Sequence, residues 1–181
     1  MKSVLRASET PRSFPLAADM FTEFHASRLP LLLKICGVSG RIEGLTKLAK
    51  LDFFVRYPDF FERIALHLGK NVESATTTVE SAMVRHHYGP WDKRYYHILP
   101  FLEARGLITI KKEGQAYIFE LTDGGKKVAY ILSKDSDFGT QVSQMKRVKN
   151  VLGSKSGSRL KSLIYEVFDQ EIANKSLGRV I

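Results

Sequence analysis

Cysteine and tryptophan each occur once in 181 residues, at Cys36 and Trp91, and proline only six times. A lone cysteine cannot close an intrachain disulfide and offers no thiolate pair for a structural zinc site. The longest apolar run, Leu29 to Cys36, is interrupted by Pro30 and Lys34 and falls far short of the roughly 18 residues that span a bilayer. Residues 1 to 20 lack the apolar core of a signal peptide. These absences predict a reduced, cytoplasmic protein with no membrane partner. Acidic charge is scarce as well: 28 Lys and Arg face 19 Asp and Glu, a formal net charge of +9. Such an excess suits a polyanionic partner.

Several catalytic patterns are also missing. The phosphate-cradling G-x-x-x-x-G-K-S/T run does not occur, and Gly124-Gly125-Lys126-Lys127 lacks both its first glycine and its hydroxyl residue. No Asp or Glu has a lysine two residues on, the spacing that restriction-type nucleases use beside their metal. G-x-S-x-G is absent too. Adjacent His86 and His87 would point to different sides of any regular element, so with His97 they read as a decorated surface, with neither metal nor cofactor expected. The chain reads as a binding protein and not an enzyme.

What is present is a hydrophobic share of 44%, enough for one core with helical extensions. Periodicity predicts helices over residues 16 to 38, broken at Pro30, over 45 to 57 before Pro58, and over 59 to 68 closed by Gly69. Gly37, Ser39, Gly40 and Gly44 predict a loop, and residues 70 to 82 another. Leu45, Leu48, Leu51 and Val55 predict an amphipathic helix. Gly89-Pro90 predicts a tight turn before a helix from Asp92 to Arg105, with Tyr95, Ile98, Leu99 and Leu102 buried and a kink or division near Pro100.

Leu107 to Lys111 and Tyr117 to Leu121 flank KEGQ as a hairpin, so helix plus hairpin predicts a winged helix in a mainly α chain. Thr122 should cap a helix to about Leu132, and Val142, Met145, Val148 and Leu152 mark another. After a flexible GSKSGS stretch, Leu160, Leu163, Ile164, Val167 and Phe168 form one helical face, to be docked on this chain's own core or in a partner's groove. The expected division is an N-terminal arm and helical extension (1–44), a winged-helix domain (45–133) and a basic C-terminal extension (134–181).

Basic residues concentrate late: residues 121 to 181 hold 11 against 6 acidic, whereas residues 61 to 120 hold 8 against 7. Lys126, Lys127, Lys134, Lys146, Arg147, Lys149, Lys155, Arg159 and Lys161 are opposed in their stretch only by Asp135 and Asp137. Arg85, His86, His87, Tyr88, Trp91, Lys93, Arg94 and Tyr96 mix cations with flat rings, as phosphate contacts, stacking and protein hot spots all require. With the wing lysines Lys111 and Lys112 and with Lys146, Arg147 and Lys149 they are the candidate partner- or DNA-binding residues. Trp91 and Tyr95 are expected to turn inward as core anchors, leaving Arg85, Lys93 and Arg94 for a partner.

The segments LTKLAKLDFFVRYP (45 to 58), MVRHHYGPWDKRYYHILPFLEARGLITI (83 to 110) and SRLKSLIYEVF (158 to 168), in that order, resemble the middle component of bacterial ABC three-component systems, the Lamassu-type defence systems among them. Arg85, Tyr88, Gly89, Pro90, Trp91, Asp92, Arg94 and Tyr95 match the family's motif, of which GPWD-x-RYY is the most specific part; Pro100 departs from the pattern. The resemblance implies a non-catalytic subunit that links an SMC-like ABC ATPase to an effector, commonly a nuclease, with double-stranded DNA as an auxiliary contact. The competing expectation is a stand-alone winged-helix transcriptional regulator with residues 92 to 105 in the major groove.

Overall fold

The computed structural model describes residues 21–72, 83–86 and 89–168. Helix α1 (Thr22–Cys36) leads into strand β1 (Arg41–Glu43), then helices α2 (Leu45–Arg56) and α3 (Pro58–His67). A two-stranded hairpin of β2 (Val84–His86) and β3 (Gly89–Trp91) precedes α4 (Tyr95–Ala104), the long hairpin β4 (Ile108–Glu113) and β5 (Ala116–Leu121), and helices α5 (Asp123–Leu132), α6 (Gly139–Leu152) and α7 (Gly157–Phe168). The chain is mostly helical, with a three-stranded antiparallel sheet in the order β1-β5-β4. No described helix is long and apolar enough to cross a membrane.

One hydrophobic cluster runs from Ala26 to Phe168. Helix α1 lies inside it: Leu29, Leu31, Leu32 and Leu33 are all fully buried, and so is Pro30. The break expected at Pro30 does not occur. The proline forgoes one backbone bond, a local cost, while apolar neighbours on every side hold the helix through it. Helix α4 likewise continues through Pro100 instead of dividing. The carbonyl that Pro100 leaves without its usual donor belongs to Tyr96, which is exposed, so water can serve it.

The loop expected between α1 and α2 contains β1. Three residues are too few to show alternation, and the strand is framed by Gly40 (φ 79°) and Gly44 (φ 89°), whose carbonyl and amide bond to Leu121 and Tyr117 of β5. In the long hairpin the register pairs Glu113 with Ala116, so the connection is two residues and not four, entered by Gly114 at φ 58°. Glu103 of α4 accepts from the Ile110 amide at 2.8 Å, which shields the outer edge of β4. The Thr122 hydroxyl accepts from the Gly125 amide at 2.9 Å and caps α5 as expected.

Helix α5 sits against the start of β4 so closely that a Cβ on Gly125 would stand 1.8 Å from the Leu107 carbonyl oxygen. Gly125→Ala therefore forces the helix off the hairpin. We expect a loss of roughly 1–3 kcal/mol, the usual cost of overpacking, as a lower urea midpoint. Gly124→Ala, which meets nothing closer than 3.5 Å, is the matched control.

The GSKSGS stretch is not a flexible tether. Residues 153 to 156 form a short turn, and Gly157 already opens α7, so near the start of α2 that a Cβ there would be 2.9 Å from the Lys47 nitrogen. Leu160, Leu163, Ile164 and Phe168 are buried against α2, α3 and β3. The apolar face of α7 is thus docked on this chain's own core, with Val167 only partly buried.

Candidate binding site around the start of helix α4

The GPWD segment is held from beneath by charged side chains inside the core. Helix α2 was expected to be amphipathic, yet every residue from Leu48 to Arg56 is buried, Lys50, Asp52 and Arg56 among them. Buried charges need partners. Arg28 of α1 donates to both carboxylate oxygens of Asp52, at 2.6 and 3.4 Å. The Tyr95 hydroxyl donates to the same carboxylate at 2.5 Å, and Arg56 stands 3.8 Å away. Arg56 in turn donates to Asp92 at 2.7 Å.

Asp92 closes the network from above. Its carboxylate accepts from the Arg94 backbone amide at 2.9 Å and from the Arg94 guanidinium at 2.8 to 3.1 Å. Burial alone would raise the Asp92 pKa, but the hydrogen bonds from Arg94, with the charges of Arg56 and Arg94, bring it down to about 2. The stability this carboxylate contributes is complete above its ordinary value of 3.8 and lost as pH falls toward 2. Arg94 Nη1 also meets His25 Nε2 at 2.5 Å. A guanidinium cannot accept, so Nε2 carries the lone pair. Tyr95 is shifted well upward by burial first and by Asp52 second, and stays a neutral donor.

Lys50 completes the support. Its ammonium donates to the Pro90 carbonyl at 2.7 Å, and Gly89 (φ 87°) brings the backbone so near that a Cβ would be 3.6 Å from Lys50 Nζ. Burial, with the charge of Lys161, lowers the Lys50 pKa to about 7. Gly89-Pro90 is accordingly not a turn but strand β3, paired with β2 through Arg85↔Pro90 and His86↔Gly89.

Trp91, 5% exposed, stacks edge-on to Tyr95 at 5.6 Å and faces inward. Arg94, with 31% of its side chain accessible, is committed to Asp92. Arg147 is turned in as well, bonding Gln144 at 2.6 Å and Glu62 at 3.3 Å and lying 5.3 Å over Phe61. Lys93, Tyr96, His97, Lys111, Lys112, Lys146 and Lys149 are exposed. Arg85 and His86 lie on β2, while His87 and Tyr88 fall outside the described residues. The site therefore gathers Lys93, Tyr96 and His97 at the start of α4; Lys146 and Lys149 belong to α6.

The supporting residues His25, Arg28, Lys50, Asp52 and Arg56 were not singled out from the sequence. A signal existed in Lys50, Asp52 and Arg56, which interrupt a helix whose apolar residues cover all sides. No family model, curated protein or solved structure matches the chain.

Proposed function

We propose that the chain is a non-catalytic assembly subunit, a winged helix that joins an SMC-like ABC ATPase to an effector in a bacterial defence complex and contacts DNA in an auxiliary way. The order of helix α1, strand β1, helices α2 and α4 and the hairpin β4–β5, with the sheet order β1-β5-β4, supports the winged-helix reading, in which α3 and the β2–β3 hairpin would be insertions before the third helix. The observation that carries the binding role is the division of the GPWD-x-RYY element. Trp91, Asp92, Arg94 and Tyr95 are tied to the interior, and Lys93, Tyr96 (58% exposed) and His97 stand outward beside them. An aromatic ring with a cation and an imidazole on a rigid base is the composition of an interface hot spot.

The outward face of α4 suits a protein surface better than a DNA groove. Pro100 and Glu103 share it with Tyr96 and His97, and Arg105 lies over its own Phe101 at 5.1 Å. A stand-alone regulator would instead present donors to base edges. Co-expression with the products of neighbouring genes tests the proposal. Stable co-purification with an ATPase and an effector is expected. A chain that purifies alone and binds duplex DNA sequence-specifically contradicts it.

A further inference from the structure

A second surface, on helix α5, carries an exposed ring between cations. Tyr130 is 56% and Ile131 65% exposed. The ammonium of Lys34, from α1, stands 5.4 Å from the Tyr130 ring centroid, and that of Lys134, just past the end of α5, stands 5.8 Å from it. Lys127 precedes Tyr130 by three residues and so shares its helical face. None of these three lysines has an ion-pair partner among the described residues. The carboxylates nearest in sequence are engaged: Asp123 pairs with Lys126 at 3.0 Å, and Asp135 accepts from the Asp137 amide at 2.9 Å.

We infer that this surface binds single-stranded nucleic acid, with one base stacked on Tyr130 and the adjoining phosphates held by Lys34, Lys127 and Lys134. Cations drawn from two elements toward one ring leave a positive field that no ion pair of these three lysines closes and that the Asp123 charge near Lys127 offsets only in part, and phosphates can complete it. The ring decides the class of ligand. The carboxylates of an acidic peptide would engage the lysines but not the ring, whereas a strand offers phosphates to the lysines and a π-face to the ring in every nucleotide. A duplex keeps its bases stacked on each other, so an unpaired strand is the better fit. The inference deepens the auxiliary DNA contact of the assembly reading, and it is tested on the isolated chain, so that its failure leaves the protein-partner claim standing.

Fluorescence anisotropy of the full chain with a labelled oligothymidylate of about twenty nucleotides, over a salt series, reads the surface directly. Tyr130→Ala should weaken binding roughly tenfold or more, the loss expected for one base–aromatic stack, while Tyr130→Phe keeps it. Lys34→Gln and Lys134→Gln should each reduce the slope of log affinity against log salt by about 0.7. Tyr130 and Lys134 are exposed, and circular dichroism of each variant checks that the fold is retained. Unchanged binding by Tyr130→Ala overturns the inference, as does a duplex that binds as tightly and ignores Tyr130. Equal competition by an oligoglutamate of the same charge would also overturn it and assign the lysines to an acidic protein.

Discussion

Asp52→Ala should cost the protein about 3–5 kcal/mol, because it removes from the core the carboxylate that Arg28 bonds and one of the two that face Arg56, the other being Asp92. Arg28 and Asp52 are 1% and 0% exposed, so no water replaces the lost carboxylate, and the Tyr95 hydroxyl loses its acceptor at the same time. Asp52→Asn keeps the shape and an acceptor oxygen and should cost less. Replacing the pair together, Arg28→Met with Asp52→Leu, should be milder than either single change, since the desolvation of both charges disappears with them. Urea unfolding measures each of these variants. A loss below about 1 kcal/mol for Asp52→Ala would mean the network carries none of the weight assigned to it.

Stability should rise with pH between about 7 and 9, and Lys50 is the cause. In the unfolded chain its amine keeps a proton up to its ordinary pKa of 10.5; in the folded protein burial, with Lys161, brings that to about 7. Between those values the unfolded state binds more protons, so the penalty, complete below pH 7, is relieved as the pH climbs. Each pH unit in that window contributes about 1.4 kcal/mol from this one group. Cys36 acts oppositely but later: burial pushes its pKa from 9.0 to about 12, so it favours the folded state up to pH 9 and loses that effect above. Lys50→Met should flatten the rise and be the more stable protein at pH 7, although the Pro90 carbonyl loses its donor. Denaturant midpoints of both proteins across pH 7 to 9 decide it; a flat profile in the native chain, or the same slope in Lys50→Met, refutes the account.

What could be read from the sequence was what short-range physics sets. The cap at Thr122, the stop before Pro58, and the buried rows Val142–Met145–Val148–Leu152 and Leu160–Leu163–Ile164–Phe168 depend on neighbours within a few residues. The helix at 45 to 56 was placed correctly, but its surroundings were not. Its charges find partners 24, 36 and 40 residues away, in Arg28, Asp92 and the Pro90 carbonyl. No local pattern encodes such pairings. Strand β1 is visible only through β5, some 77 residues later. Pro30 was overestimated as a breaker, and Pro100 does not divide its helix, because intrinsic propensity yields to packing around Pro30 and to solvent beside Pro100. At the site, the inward turn of Trp91 and Tyr95 and the outward one of Lys93 and Tyr96 were legible, but the commitment of Arg94 to Asp92 was not, since Arg94 differs from Lys93 only in what lies beneath it.

The central claim is that this element is a rigid base with a small outward contact surface at Lys93, Tyr96 and His97. The most direct test is retention of the co-purified complex by a Lys93→Ala/Tyr96→Ala double variant. Both side chains are exposed, so the account predicts an unchanged urea midpoint together with loss of the complex. Full retention of the complex by that folded variant would contradict it.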